Sequence, residues 1–156
     1  MEIKIENMSI EDLENIKDIL TCDFDDFWNY NILKNELSSK TSICLVAKTS
    51  ENIIVGFAGL QFILDEASIT NIVTKKNCRN AGIGTNLLKN IIDISKKRNM
   101  STITLEVNEN NTNAINLYKK FNFETTGLRK KYYNGTDNAI IMTLNLKSCQ
   151  LVPGLY

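Results

Sequence analysis

The residues best suited to chemistry lie together in the run Arg79-Asn80-Ala81-Gly82-Ile83-Gly84, between an apolar β-type stretch and a long amphipathic one. Two glycines two apart at a strand–helix junction let backbone N–H groups approach a bulky group, and the following helix adds its positive end. Such a junction suits an anion, most simply a phosphate or pyrophosphate, and the donor fork of Arg79 matches phosphate oxygens. The run lacks the Gly-Lys-Ser/Thr ending of a P-loop and has two of the three glycines of a dinucleotide fingerprint. On spacing alone it reads equally well as a helix start with two turn glycines.

Elsewhere the chemistry is narrowed by what is missing. The 156 residues include no histidine, which removes the usual general base, the Ser-His and Cys-His pairs and histidine metal sites. Acid–base work falls to carboxylates, tyrosines, lysines or cysteines. The four cysteines (Cys22, Cys44, Cys78 and Cys149) are scattered without a C-x-x-C pair, so reduced core thiols are expected rather than a disulfide framework or a zinc site. With 18 basic and 18 acidic residues the formal charge is zero, and no global field draws the chain to nucleic acid or a membrane. Short, interrupted apolar runs predict no transmembrane helix. The acidic, alternating start is unlike a signal peptide, and a cytoplasmic protein is expected.

The elements that must position these residues can be read in order. Residues 2–6 alternate as a strand, and Ser9 with Asp12 forms a capping-box variant opening a helix that ends near Cys22. An acidic and aromatic stretch follows, Asp23-Phe24-Asp25-Asp26-Phe27-Trp28. Its rings either close one end of the core or wall a substrate. A second helix runs through Ile32, Leu33 and Leu37. Residues 42–48 and 53–64 form a hairpin, and 67–74 a third antiparallel strand that delivers the chain to the glycine loop. A third helix runs from Gly82 to about Lys97, and residues 102–107 form a β-branched strand, which implies one parallel crossover. A fourth helix follows the turn-rich run Asn108 to Asn113, and strands 123–131 and 138–146 are joined through Tyr132-Tyr133-Asn134-Gly135. The expected architecture is one α+β domain over residues 1–147 and a loose tail over 148–156.

At this point the motifs combine. Arg79-x-x-Gly82-x-Gly84 is followed by Leu105-Glu106-Val107, Asn111, Ala114, Leu117-Tyr118 and Phe123. This order and spacing resemble the GNAT superfamily of acetyl-CoA-dependent N-acetyltransferases, and within it the ribosomal-protein-alanine N-acetyltransferases of the RimI type. The likeness runs from about Ser9 to Leu146. It implies a GNAT fold: a mixed, mostly antiparallel sheet of about seven strands, four helices and a splayed central strand pair that leaves a V-shaped cleft. It also implies that Arg79, Asn80, Ala81, Gly82, Ile83, Gly84 and Thr85 cradle the CoA pyrophosphate. Ile72, Val73 and Thr74 would pair with the pantetheine arm, and Asn111 would contact CoA. Tyr118 would stand beside the thioester sulfur and protonate the leaving thiolate, and Glu106 would act as general base. Phe27, Trp28, Asn71, Tyr132 and Tyr133 would line the acceptor site with Glu106.

By the same resemblance acetyl-CoA is the cosubstrate and no metal is needed. The acceptor is a protein N-terminus, the N-terminal alanine of the eighteenth small-subunit ribosomal protein; oligomeric state is left open. Acceptor alternatives are a small amine, a polyamine or a lysine side chain, with a non-catalytic CoA-binding module as the rival from another class. Each residue also has a plainer reading: Glu106 as the wet face of a strand, Tyr118 as a half-buried core ring, Cys78 as a small buried hydrophobe, Tyr132 and Tyr133 as hairpin aromatics. Three positions depart from the family pattern: Asn80 where a basic residue is common, Asn122 for a glycine, and Asn138 for an acid. Asparagine tolerates φ > 0, so the Asn122 turn should survive.

Overall fold

Alternating apolar residues set up the sheet from the first strand onward. The computed structural model describes residues 2–24 and 28–147. Strand β1 (Ile3–Asn7) pairs antiparallel with β2 (Ser42–Thr49), which pairs antiparallel with β3 (Ile54–Ile63). Strands β4 (Glu66–Thr74), β5 (Thr102–Asn108), β6 (Glu124–Tyr133) and β7 (Asp137–Asn145) complete a seven-stranded sheet of order β1-β2-β3-β4-β5-β7-β6. The expected crossover is present, since β4 and β5 are parallel. Their ladder covers Glu66–Thr102, Ala67–Ile103 and Ser68–Thr104, at the start of strands nine and seven residues long. The four helices are α1 (Ile10–Ile16), α2 (Tyr30–Ser38), α3 (Ile83–Lys97) and α4 (Thr112–Lys120). The fold is the mixed, mostly antiparallel α+β architecture expected.

By contacts the described residues group into two compact units, residues 2–61 with 70–93 and residues 62–69 with 94–147. The first is built on a core of Leu13, Ile16, Leu20, Phe24, Leu33, Val46 and Phe57, with the Phe24 and Phe57 ring centroids 5.4 Å apart. Its first helix begins in the capping box read from the sequence: Asp12 N–H donates to Ser9 Oγ (3.0 Å) and Ser9 N–H to Asp12 Oδ2 (2.9 Å). Lys48 Nζ ties this helix start to the sheet, 2.8 Å from Asp12 Oδ1 and 2.6 Å from Glu6 Oε1.

Two expectations need correction here. The helix does not run as α-helix to Cys22; after Ile16 it tightens into a 3₁₀ turn (Lys17–Ile19) and then widens into a π turn (Leu20–Phe24). The wider turn brings residues four apart to nearly the same side, and Ile16, Leu20 and Phe24 are all buried. Cys22 falls between two of these anchors and is exposed, so it is not a core thiol, whereas Cys44 is buried.

In the second unit β5 alternates, with Ile103, Leu105 and Val107 buried and Thr104, Glu106 and Asn108 half-buried. The β6–β7 turn is tighter than the sequence reading, because Tyr132 and Tyr133 belong to β6. Asn134 (φ +53°) and Gly135 (φ +69°) form the turn, closed by Thr136 N–H to Tyr133 C=O at 3.1 Å. Among the described residues no helix is long and apolar enough to cross a membrane. The expected tail over 148–156, with Cys149, lies outside the described residues, as do Asp25, Asp26 and Phe27.

Candidate active site

In the first unit the glycine run forms a loop that opens α3. A 3₁₀ turn (Lys76–Cys78) precedes it, anchored by Lys75 N–H to Val55 C=O at 2.8 Å. Asn80 then takes φ +65° and Gly82 φ +80°, and the first helical bond joins Asn86 N–H to Gly82 C=O at 3.0 Å. The N–H groups of Ile83, Gly84 and Thr85 therefore have no partner inside the helix, which is the arrangement an anion requires. Arg79, Asn80, Ala81 and Gly82 are exposed, Gly84 and Thr85 half-buried, and Ile83 is 1% exposed and pins the loop. Asparagine in place of a basic residue at position 80 has a backbone reason, since the left-handed conformation favours it. Cys78 is half-buried, with its Sγ 3.2 Å from Asn77 Oδ1, and so is less enclosed than the buried hydrophobe expected. Its place in an exposed turn explains this.

The end of β4 belongs to the same unit. Val73 is buried, and Ile72 and Thr74 are half-buried. Asn71 is 6% exposed, its Nδ2 3.4 Å from Thr70 Oγ1, while its Oδ1 is enclosed without a hydrogen-bond partner among the described residues. Thr70 Oγ1 donates to Glu36 Oε2 at 3.3 Å, and burial pushes the Glu36 carboxyl above its usual range despite that bond. Trp28 packs half-buried against the core; Phe27 is outside the described residues.

The second unit brings Glu106, Tyr132 and Tyr133 into one network, together with Arg129, which the sequence did not mark, and it also holds Tyr118 on α4. Arg129 Nη2 lies 2.9 Å from Glu106 Oε1, and its guanidinium carbon is 4.7 Å from the Tyr132 ring centroid. Tyr132 meets Tyr133 edge to face at 5.0 Å. The Tyr133 phenol is raised above its ordinary range by burial, and then by the negative charge of Glu106. Burial likewise pushes the Tyr118 phenol up to about 12, with Tyr133 adding to the shift.

Helix α4 fixes Tyr118 through its two ends. Asn111 caps the start, its Oδ1 accepting from Ala114 N–H at 3.2 Å. At the other end Asn122, at φ +70°, reverses the chain as expected of it. Asn122 N–H donates to Lys119 C=O (3.0 Å), and Phe123 N–H to Tyr118 C=O (3.1 Å). The Phe123 ring packs on Tyr118 with centroids 5.7 Å apart, the apolar contact that accompanies this kind of helix stop. Tyr118 is buried, not half-buried.

Two important residues carried different signals. Gly56 lies inside β3, and a Cβ there would sit 2.8 Å from Ile83 Cγ2 and 3.0 Å from the Val73 carbonyl oxygen. The start of α3 is seated on a glycine, and an isolated glycine in a strand pattern was a legible hint of that close approach. Arg129 offered no such hint, because its partner is on another strand with β7 between them.

The molecule thus holds free amides at a helix start, a carboxylate able to take a proton and a phenol able to donate a hydrogen bond. Residues 7–123 match the acetyltransferase (GNAT) family. A Bacillus subtilis (strain 168) protein, provisionally assigned as a ribosomal protein bS18-alanine N-acetyltransferase, is 30% identical over 144 residues, 91% of this chain and 95% of the relative. The ribosomal protein bS18-alanine N-acetyltransferase of Haemophilus influenzae is 35% identical over 124 residues, 76% of this chain and 82% of its own. The crystal structure of the ribosomal-protein-S18-alanine N-acetyltransferase from Escherichia coli superposes with a TM-score of 0.85 at 28% identity, over 99% of each chain. The chain therefore belongs to the acetyltransferase (GNAT) family and is an acyltransferase.

Proposed function

We propose that this enzyme transfers the acetyl group of acetyl-CoA to the N-terminal α-amine of a protein. Its acceptor is the N-terminal alanine of ribosomal protein bS18, and it acts in the cytoplasm. The observation that carries the reading is the Glu106–Arg129–Tyr132–Tyr133 network in a chain similar to enzymes named for that acceptor.

Each residue then has a task. The diphosphate of acetyl-CoA rests on the amides of Ile83, Gly84 and Thr85 and against Arg79, Asn80, Ala81 and Gly82. The pantetheine arm pairs with the backbone of Ile72, Val73 and Thr74, and the Asn111 carboxamide supplies a further contact. Trp28 and Asn71 of the first unit, and Tyr132 and Tyr133 of the second, take part in binding the acceptor. The acceptor amine attacks only when neutral, and an α-amine titrates near about 7.7–8.0, so modest help suffices. Glu106 accepts the proton as the C–N bond forms. The Val73 N–H polarises the carbonyl while oxyanion charge develops. As the C–S bond breaks, the sulfur accepts a hydrogen bond from Tyr118. A phenol near 12 lies above the ~8.5 of an ordinary thiol, so complete transfer to the thiolate is uphill. Tyr118 serves as a hydrogen-bond donor, and solvent supplies the final proton.

The test is release of free thiol from acetyl-CoA with a panel of acceptors, the product located by mass spectrometry. Peptides beginning with alanine should turn over and carry the acetyl group on the α-amine. Turnover confined to spermidine or a lysine side chain would replace the acceptor class. Acetyl-CoA binding without turnover on any amine would leave a binding module.

A further inference from the structure

We propose that Arg129 is a positioning residue that holds Glu106 between turnovers and yields it to the acceptor, guanidinium and incoming ammonium competing for one carboxylate. This rests on the reading of Glu106 as base. The register shows how far Arg129 must reach: Glu106 on β5 is opposite Ile141 on β7, and Ile141 is opposite Gly127 on β6, two residues before Arg129. Arg129 and Glu106 therefore share a face across an intervening strand. Only a long side chain lying along the sheet can join them. The guanidinium Nη2 meets Glu106 Oε1 at 2.9 Å. A carboxylate held at one oxygen can offer its other oxygen to an acceptor nitrogen.

The same guanidinium also rests on an aromatic ring. Its guanidinium carbon lies 4.7 Å from the Tyr132 ring centroid, within the range of a cation–π contact. The arginine side chain is 52% exposed and the glutamate 29%, so the ion pair is weak enough to open. When an acceptor ammonium approaches Glu106, the guanidinium gives up the carboxylate and keeps its contact with the ring. The carboxylate exchanges one cation for another and is not left unpaired. The ammonium held there gives one proton to solvent and attacks as the neutral amine. Glu106 takes the next proton as the C–N bond forms and no longer attracts either cation, and its loss of that proton to solvent brings Arg129 back.

The device predicts a combination that a damaged fold would not give. In the full-length enzyme, Arg129→Gln should lower kcat about 10-fold, because the base is no longer oriented. It should also lower the KM for an alanine-starting peptide several-fold, because the competitor is gone, and leave the KM for acetyl-CoA unchanged. Millimolar guanidinium chloride should restore part of kcat and raise the peptide KM again, and sodium chloride at the same concentration should not. Lys130→Gln, the exposed neighbour, should behave as the parent. Should Arg129→Gln fail to fold, Arg129→Lys takes its place with the same guanidinium comparison, since a lysine lacks the planar fork. Unchanged kinetics, or a raised peptide KM without a guanidinium response, would overturn the proposal. Glu106→Gln separates the two ideas: full activity in that variant removes the base itself. An inactive Glu106→Gln beside a parent-like Arg129→Gln removes only the role of Arg129.

Discussion

The loop that opens α3 and the network around Glu106 are made of different material. The loop consists of backbone: left-handed dihedrals at Asn80 and Gly82, followed by helix-start amides, with the side chains of residues 79–81 exposed. The network consists of side chains: an ion pair, a cation–π contact and an edge-to-face ring pair, each sharing a residue with the next. A site made of backbone tolerates most substitutions and fails where a dihedral or a close approach is lost. A site made of side chains can fail at any member.

The sharpest way to test that contrast is to remove the base. Glu106→Gln keeps the shape and loses the charge, and kcat should fall about 10²–10⁴-fold. The KM for acetyl-CoA and the melting midpoint should stay near those of the parent. A parent-like rate would collapse the comparison, since the network would then have no chemistry in it. Tyr118→Phe is the next step down. The ring contact with Phe123 survives, and the missing hydroxyl should lower kcat by about 10- to 100-fold. That is less than a lost oxyanion donor, because a departing thiolate needs less help. Steady-state thiol release measures both.

The loop should respond in binding and stability instead. Gly56→Ala places a methyl group 2.8 Å from Ile83 Cγ2 and 3.0 Å from the Val73 carbonyl oxygen. The Ile83 side chain can turn aside but the Val73 carbonyl is backbone, so the end of β4, which leads into the loop, must shift. Overpacking of this kind costs about 1–3 kcal/mol. The melting midpoint should fall and the KM for acetyl-CoA should rise, with kcat at saturation little altered. Ala81→Ser, at an exposed loop position, should change neither. If Ala81→Ser and Gly56→Ala raise the KM equally, the loop is a side-chain site after all.

The same distinction explains what could be read in the sequence. Backbone features announce themselves through residue type: glycines two apart, asparagine at positive φ, a Ser9/Asp12 capping box, an Asn-Gly turn. All of these were legible, and with them the seven strands and four helices. Gly56 was visible as a glycine in a strand, yet its neighbours Ile83 and Leu87 lie on a helix 27 residues away or more. The 3₁₀-to-π passage after Ile16 was hidden, because apolar residues four apart fit an α-helix as well. Side-chain partnerships across strands carry no local mark. Nothing near Arg129 points to Glu106, and nothing near Glu36 points to Thr70. Both depend on which strands or helices become neighbours.

A last contrast sets the Arg129–Glu106 pair of the proposed site against the pairs that Lys48 makes with Asp12 and Glu6 at the start of α1. Lys48 is raised by its hydrogen bonds to Asp12 and Glu6. Asp12 would be raised by burial, but the Lys48 and Ser9 bonds outweigh that and lower it below its ordinary value. The signs follow from linkage. A carboxylate with a depressed folded pKa contributes stability that is present above its unfolded value, near 3.9, and lost as pH falls through the folded one. A lysine with a raised pKa contributes stability that is present below about 10.4 and lost as pH climbs through the folded value. Between those limits the contribution is flat. Asp12→Asn should therefore lower stability by about 1 kcal/mol at neutral pH, in the range of a lost helix cap. The gap to the parent should close below about pH 3.9, as the parent's own Asp12 takes up its proton. Denaturant unfolding at pH 7 and in the acid range measures this. Turnover at neutral pH should stay near the parent's, because this pair fastens α1 and touches none of the network residues. A large loss of turnover with unchanged stability would mean that the capping box, and not only the network, acts in the reaction.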